Sequence, residues 1–336
     1  MLKYLSSIFP LSVKIHRMQI PLVDDLKAQK NTIGRFLIKS SVFLVILFLS
    51  DQIAGGFLRM GLDRYFGLDV PARILCVGHS HSVLGIDKIA LEKELHTPVS
   101  KYARQGADAS DRLAMIRHYL AVHPNSVRII VYDVNAHAFT GKGLSANSYR
   151  LFYPFMDIPV IREYVKKHSA SPGEYWLRNY LKLPRFSEVT LSLSIRGWLR
   201  KWTNLKYTQI DIEKTKKQLR QGEFRKISFD PGPLKFFEET IRFVRSHNIH
   251  LVLAYIPTID LVNEAEPEKY QEVIRIFEEY ASKDSGITFL NYNSEFSHRH
   301  ELFYDTIHLN ANGQKLFTKY LAENLKRIDG AVSYIE

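Results

Sequence analysis

The sequence predicts an α/β fold, a parallel sheet with helices on both faces. Three observations predict it. Short apolar runs alternate with stretches of helical period over most of the chain. The runs are apolar throughout, as strands covered on both faces are. Polar residues capable of chemistry collect where the runs stop, the place where parallel sheets bind ligands. A chain of 336 residues accommodates one large domain with an appendage, or two domains.

The most apolar stretch comes first. "SSVFLVILFLS", Ser40 to Ser50, is too short by itself to span a bilayer. Extension back to Ile33 takes in Arg35 and Lys39, which lie near the end, where long basic side chains reach the interface. Extension forward takes in Asp51. Upstream, Lys3, Lys14, Arg17, Lys27, Lys30, Arg35 and Lys39 outnumber Asp24 and Asp25, which favours a cytoplasmic N-terminus. The expected organisation is a cytoplasmic basic leader (1–35), a membrane anchor helix (36–58) and an exported domain (70–336). The long charged leader and the lack of an A-x-A site argue against a cleaved signal peptide. An amphipathic or buried helix is the alternative.

Ala72 to Val77 reads as the first buried strand, stopped by Gly78. A short helix (Asp87 to Leu95), a second strand (Val99 to Ala103) and a helix from Asp108 to Val122 follow. Leu113, Ile116 and Leu120 share a face of that helix. "VRIIVYD", Val127 to Asp133, reads as the third strand. After a long interruption, a helix from Pro233 to Ser246 carries Leu234, Phe237, Ile241 and Val244 on one stripe. "IHLVLAYI" (Ile249 to Ile256) is the fourth strand, Glu266 to Ala281 a helix, "ITFLNY" (Ile287 to Tyr292) the fifth strand, and Asn312 to Ile328 a final helix.

The interruption, about 140–229, reads as a mostly helical insertion, because a structureless loop of that length is uncommon in a compact domain. It holds Trp176, Trp198 and Trp202 and concentrates the basic excess. The chain's formal charge is +11, and Val160 to Lys226 has 16 Lys/Arg against 6 Asp/Glu. Such a patch suits an acidic glycan or an anionic lipid surface, or is a solvated helical face. No nucleic-acid-binding signature accompanies it. Its tryptophans read as core or as sugar-stacking platforms. The single cysteine, Cys76, excludes an intramolecular disulfide and reads as a small buried hydrophobe.

The strand ends supply a serine hydroxyl and what it needs to act as a nucleophile. "GHSHS" places Ser80 after the first strand, flanked by His79 and His81 as accessory candidates. "YDTIHLNANG" supplies His308 as base, with Asp305 three residues earlier to fix its tautomer. The backbone N–H groups of Ser80 and of Gly106 in "ARQGAD" and the side-chain amide of Asn135 in "YDVNAH" are candidate oxyanion donors.

In these positions and this order the chain resembles the SGNH/GDSL hydrolases. Their serine follows the first strand, a glycine the second, an asparagine the third, and a D-x-x-H precedes the last helix. The resemblance covers about Ala72 to Leu325, around the insertion. It implies a three-layer α/β/α sandwich with five parallel strands, Ser80 as nucleophile, His308 as base and Asp305 as its orienter. It also implies Ser80, Gly106 and Asn135 as the oxyanion hole, with no cofactor and no metal. Two positions depart from the family pattern: His79 stands where Asp is usual, and "DVNAH" stands where G-x-N-D is usual. The anchor and insertion make the chain similar to the membrane-anchored branch that acylates cell-envelope polymers. That likeness implies a glycan or other polymer acceptor, membrane lipid, and a multi-spanning membrane acyltransferase as partners.

The expectation is therefore an inner-membrane, single-pass serine enzyme that transfers a small acyl group, acetyl, to or from an envelope polysaccharide. A carbohydrate esterase and a non-catalytic polymer-binding or assembly subunit are the alternatives. Two blander assignments remain: Ser80 as a helix cap, and Asp305 and His308 capping the last helix with Asn310 or Asn312. A metal on His79, His81, Asp305, His308, His298 and His300 is a third, though no H-E-x-x-H spacing supports it. His298 and His300 read more simply as surface histidines.

Overall fold

A computed structural model describes residues 21–141 and 147–333. The leader residues Lys3, Lys14 and Arg17 lie outside the described residues. Five strands form one parallel sheet in the order β2-β1-β3-β4-β5: β1 (Ile74–Gly78), β2 (Val99–Ala103), β3 (Ile129–Val134), β4 (His250–Tyr255) and β5 (Ile287–Asn291). Cys76 pairs with Lys101 on one side and Val131 on the other, and Val131 with Val252.

The helices, in chain order, are α1 (Pro21–Phe66), α2 (Ser80–Gly85), α3 (Lys88–Leu95), α4 (Ala109–Val122), α5 (Pro159–His168), α6 (Pro172–Tyr180) and α7 (Glu188–Trp198). They continue with α8 (Ile212–Arg220), α9 (Pro231–Ser246), α10 (Asp260–Asn263), α11 (Pro267–Lys283), α12 (Asn293–Phe296) and α13 (Ala311–Ser333). The predicted strands appear within two residues of their expected bounds, because uninterrupted apolar runs mark a doubly covered sheet.

Alternate strand residues point to opposite faces, so the sheet supports two cores. Leu75, Val77, Ile130, Tyr132, Leu251 and Leu253 pack with Met115 and Ile116 of α4, Val244 of α9 and Phe277 of α11. Ile74, Cys76, Ile129, Val131 and Val252 pack with Leu91 of α3 and Phe317 and Leu321 of α13. Cys76 is fully buried, and burial pushes its thiol up to about 12.

Two compact units divide at Ser50 and Asp51. In the first, the apolar side chains from Phe36 to Leu49 are exposed. The helix segment Thr32–Phe66 is long and apolar enough to span a membrane. Residues between the expected anchor (36–58) and the expected domain (70–336) belong to the core. Leu62, Tyr65 and Phe66 of α1 are members of the sheet's core. Asp51 is accommodated because its carboxylate accepts the N–H groups of Lys182 (2.7 Å) and Leu183 (2.9 Å).

The insertion is helical, as expected, from α5 to α8, and residues 142–146 within it lie outside the described residues. Trp202 packs against the sheet's core, and no tryptophan lines the cavity described below. Trp198 stacks on Phe57 of α1, Trp202 donates its Nε1–H to the Arg64 carbonyl, and Trp176 stacks on Tyr180.

The helix α2 is absent from the sequence expectation. Six residues cannot sustain a helix alone, and buried charges hold both its ends. Asp133, at the end of β3, receives the N–H groups of His79 (3.3 Å) and Ser82 (3.1 Å) and the Ser82 hydroxyl (3.0 Å). Lys101 of β2 donates to the carbonyls of Val83 (3.3 Å) and Ile86 (2.7 Å) at the other end. Both signs suit the helix dipole. Burial pushes Lys101 down to about 8.

Because the Lys101 ammonium is harder to protonate in the folded chain, the unfolded chain binds more protons from about pH 8 up to its ordinary range. Stability contributed at this site therefore rises with pH across that window. Denaturant unfolding of wild type and Lys101→Met should show the difference shifting in favour of wild type from pH 8 to pH 10. A pH-independent difference would contradict the assignment.

Candidate active site

Gly78, the last residue of β1, lets the chain turn sharply towards β3. A side chain there would overlap Ser82 Oγ and the Asp133 carboxylate. His79 then takes the N-cap position of α2, and Ser80 is its first residue. The expectation that Ser80 caps a helix is corrected: the cap is His79, and the Ser80 hydroxyl points elsewhere.

Ser80 Oγ lies 2.8 Å from His308 Nε2. His308 Nδ1 lies 2.8 Å from Asp305 Oδ2 and 3.0 Å from Oδ1. An ionised Asp305 only accepts, so Nδ1 carries the imidazole proton and Nε2 offers its lone pair to the Ser80 hydroxyl. Asp305 Oδ1 also accepts the backbone N–H groups of Ile307 (3.0 Å) and His308 (2.9 Å). Burial opposes ionisation of Asp305, but the hydrogen bond and charge of His308 and these two N–H groups hold its carboxyl below the usual range. Asp305 and His308 do not cap the last helix. Asn310 does, its Oδ1 accepting from Asn312 and Gly313 (3.1 Å each).

The oxyanion candidates face the same space. The Ser80 N–H, at the first position of α2, has no intrahelical acceptor. Gly106 adopts φ +76°, a conformation favouring glycine, and lines the cavity. Asn135 follows β3, and its side chain is held at both ends. Oδ1 accepts the His137 N–H at 2.7 Å, and Nδ2 lies 2.6 Å from His79 Nε2. His79 Nδ1 accepts the His81 N–H at 3.2 Å and lies 3.4 Å from Asp133 Oδ2, so the imidazole joins the start of α2 to the Asn135 amide.

His79 and His81 are held neutral. Burial lowers both well below the ordinary histidine range, and for His79 the charges of Arg112, His308 and Arg225 act in the same direction. His81 packs edge-on against His79 and against His308, with ring centroids 4.5 and 5.4 Å apart. His79, His81 and Asp133 each bring one ligand atom within 4.8 Å of the others, the group among the described residues best arranged to address a metal ion. Asp305 and His308 are not in it. His298 and His300 are elsewhere: His298 Nδ1 lies 2.6 Å from Asp260 Oδ2, and His300 Nε2 2.7 Å from Oδ1. They are carboxylate-paired rather than free surface histidines.

Ser80 opens into a cavity of about 430 Å³, lined on one side by Ser80, Gly106 and Asn135. The far side comes from the insertion, through Thr215, Gln218 and Leu219 of α8 and Arg225 beyond it. Sequence reading placed Asp133 at the end of the third strand without a role, and missed Lys101 and Arg112. Arg112 donates to the Asp133 carbonyl at 2.6 Å and lies over the Tyr132 ring. A charged residue within an apolar strand or helix was the available signal.

Compared with known proteins, the chain matches no family model and no curated protein. Among solved structures it is similar to a protein from Streptococcus pneumonia provisionally assigned as a platelet activating factor. The identity is 13% and the TM-score 0.38, over 86% of this chain and 99% of that one. It is also similar to a provisionally assigned acylhydrolase from Bacteroides fragilis, at 9% identity and TM-score 0.38, over 76% of this chain and 87% of that one.

The geometry ranks the side chains. Asp305→Asn leaves the shape but loses the acceptor that fixes the His308 tautomer, and should cut ester turnover by roughly 10³–10⁴-fold. His79→Ala releases one end of the Asn135 amide and the side-chain cap of α2 while leaving the Asp305–His308 pair intact. It should lower kcat about 10-fold with KM little changed, as loss of transition-state positioning does. Steady-state kinetics on p-nitrophenyl acetate separate these outcomes, and a His79→Ala defect confined to KM would contradict the second.

Proposed function

We propose that this chain is a membrane-anchored serine enzyme of the SGNH type. It transfers a small acyl group, acetyl, to or from a cell-envelope polysaccharide through an acyl-serine at Ser80. The observation that carries the proposal is the unbroken Asp305–His308–Ser80 hydrogen-bond chain opening into a cavity at the carboxyl edge of the sheet.

His308 Nε2 takes the Ser80 proton as Oγ attacks the acyl carbonyl. The carbonyl oxygen becomes an oxyanion, received by the N–H groups of Ser80 and Gly106 and the side-chain amide of Asn135. His308 returns the proton to the departing alcohol, leaving the acyl-serine. A sugar hydroxyl then attacks, His308 again acting as base, and Ser80 recovers its proton as the acyl group leaves. Water in place of the sugar hydroxyl makes the same cycle an esterase. Thr215, Gln218 and Arg225 furnish the polar wall that a sugar acceptor requires.

The span in α1 and the positive charges before it support a cytoplasmic N-terminus and an extracytoplasmic active domain at the inner membrane. A multi-spanning acyltransferase delivering acyl groups across the membrane is the partner such a topology calls for. The basic excess of the insertion suits an acidic glycan or lipid, not nucleic acid.

The test is intact mass of the full chain in detergent after exposure to an activated acetyl ester, wild type beside Ser80→Ala. The expected result is one added acetyl group in wild type alone. An equal adduct in Ser80→Ala would overturn the nucleophile. Glycan binding unchanged by that substitution, with no wild-type adduct, would favour a binding subunit instead.

A further inference from the structure

The helix α7 is built inside out. Its buried positions are Thr190, Ser194 and Gly197, all small. Leu193 packs against the core, but other large apolar residues face outward: Val189 is 58% exposed, Ile195 56%, and Leu199, which ends the helix, 58%. A helix on a water-facing surface has the opposite polarity. Small residues inward and apolar residues outward is how helices pack within lipid.

The inward face lies against α1. Ser194 Oγ donates to the Leu58 carbonyl at 2.7 Å. A side chain at Gly197 would overlap the Gly61 carbonyl oxygen, and one at Gly61 would overlap Ser194, so the two backbones touch. The outward face continues onto α1. Ile53, Phe57 and Met60, at helical spacing, are exposed, and Phe57 stacks on Trp198 at 4.4 Å. From α6, Trp176 and Tyr180 extend the same kind of surface. Arg200 and Lys201, both exposed, follow the helix immediately. Aromatic rings and basic side chains beside an apolar face are the composition of a protein surface at the bilayer interface.

This surface starts where the apolar run of the chain ends, since Asp51 is the residue that ties α1 to Lys182 and Leu183. We propose that the outward face of α7, with the exposed stripe of α1, is immersed in the lipid bilayer. The occupant is lipid, with anionic headgroups against Arg200 and Lys201. The insertion is thus a second membrane contact beside the span. The proposal rests on the reading of α1 as a membrane span.

The test places an environment-sensitive fluorophore on single cysteines in the full chain, reconstituted in phosphatidylcholine–phosphatidylglycerol vesicles with or without doxyl-labelled lipid. The native Cys76 is buried and does not compete. The sites are Ile195→Cys and Leu199→Cys on the proposed face, Val45→Cys in the span and Ile89→Cys on α3. Positions 195 and 199 should be quenched several-fold more than position 89. Quenching at 45 with 195 and 199 no different from 89 would overturn the proposal and leave the span standing. Shielding of 195 from aqueous quencher without lipid quenching would also overturn it, assigning the face to a second copy of the chain. Absence of quenching at 45 as well would overturn both.

Discussion

The carboxylate of Asp133 is the constraint on which the rest of the site depends. It stands at the end of β3, next to β1 in the sheet, and grips the turn that leaves β1. The order β2-β1-β3 makes this the switch point, where chains leaving adjacent strands diverge and a crevice opens. Without those three hydrogen bonds, α2 has no means of staying helical at six residues. Ser80 would then have no fixed place relative to His308. Asp133 Oδ1 is buried with no hydrogen-bond partner in the structure, an unfavourable arrangement elsewhere in a protein. Here it is tolerated because the same carboxylate sets the position of the reactive turn.

His79 connects that turn to the next strand. Its Nδ1 accepts the His81 N–H and lies beside Asp133, and its Nε2 lies against the Asn135 amide, so the turn, the end of β3 and the loop after it form one polar network. Neutrality is necessary for this arrangement. A protonated His79 could not accept the His81 N–H at Nδ1, and burial and nearby cations oppose that state. His308 comes from a separate segment, before α13, and is fixed independently. Asn310 ties the start of α13 to the carbonyls of Glu301 (2.8 Å) and Phe303 (3.4 Å), and Asp260 receives both His298 and His300. Two separately braced walls thus meet at the Ser80–His308 hydrogen bond.

What the sequence disclosed follows from the range of the interactions involved. Strands buried on both faces are continuous apolar runs, so the sheet and the strand ends are legible, and with them Ser80, Asn135, Asp305 and His308. The two buried charges that hold α2 are not. Asp133 and Lys101 meet partners 51 and 18 residues away, and their role appears only once the strands pair. The insertion shows a different limit. Its periodicity blurs, so helical content is legible there but not which face of α7 turns inward. Of its tryptophans, read as core or as sugar platforms, Trp202 packs against the core and Trp198 against α1.

The part of α1 from Asp51 onward belongs to the domain. Leu62, Tyr65 and Phe66 of α1 are buried in the sheet's core, each a contribution of about 1.5–3 kcal/mol. Trp198 donates to the Phe57 carbonyl and Trp202 to that of Arg64, so the insertion also depends on this helix. The same insertion goes on to α8, which lines the cavity that Ser80 opens into. Cutting the chain within α1 would therefore disturb the α8 lining of that cavity without touching the Asp305–His308–Ser80 chain. The helix that leads from the apolar run into the domain is part of the structure that shapes the site.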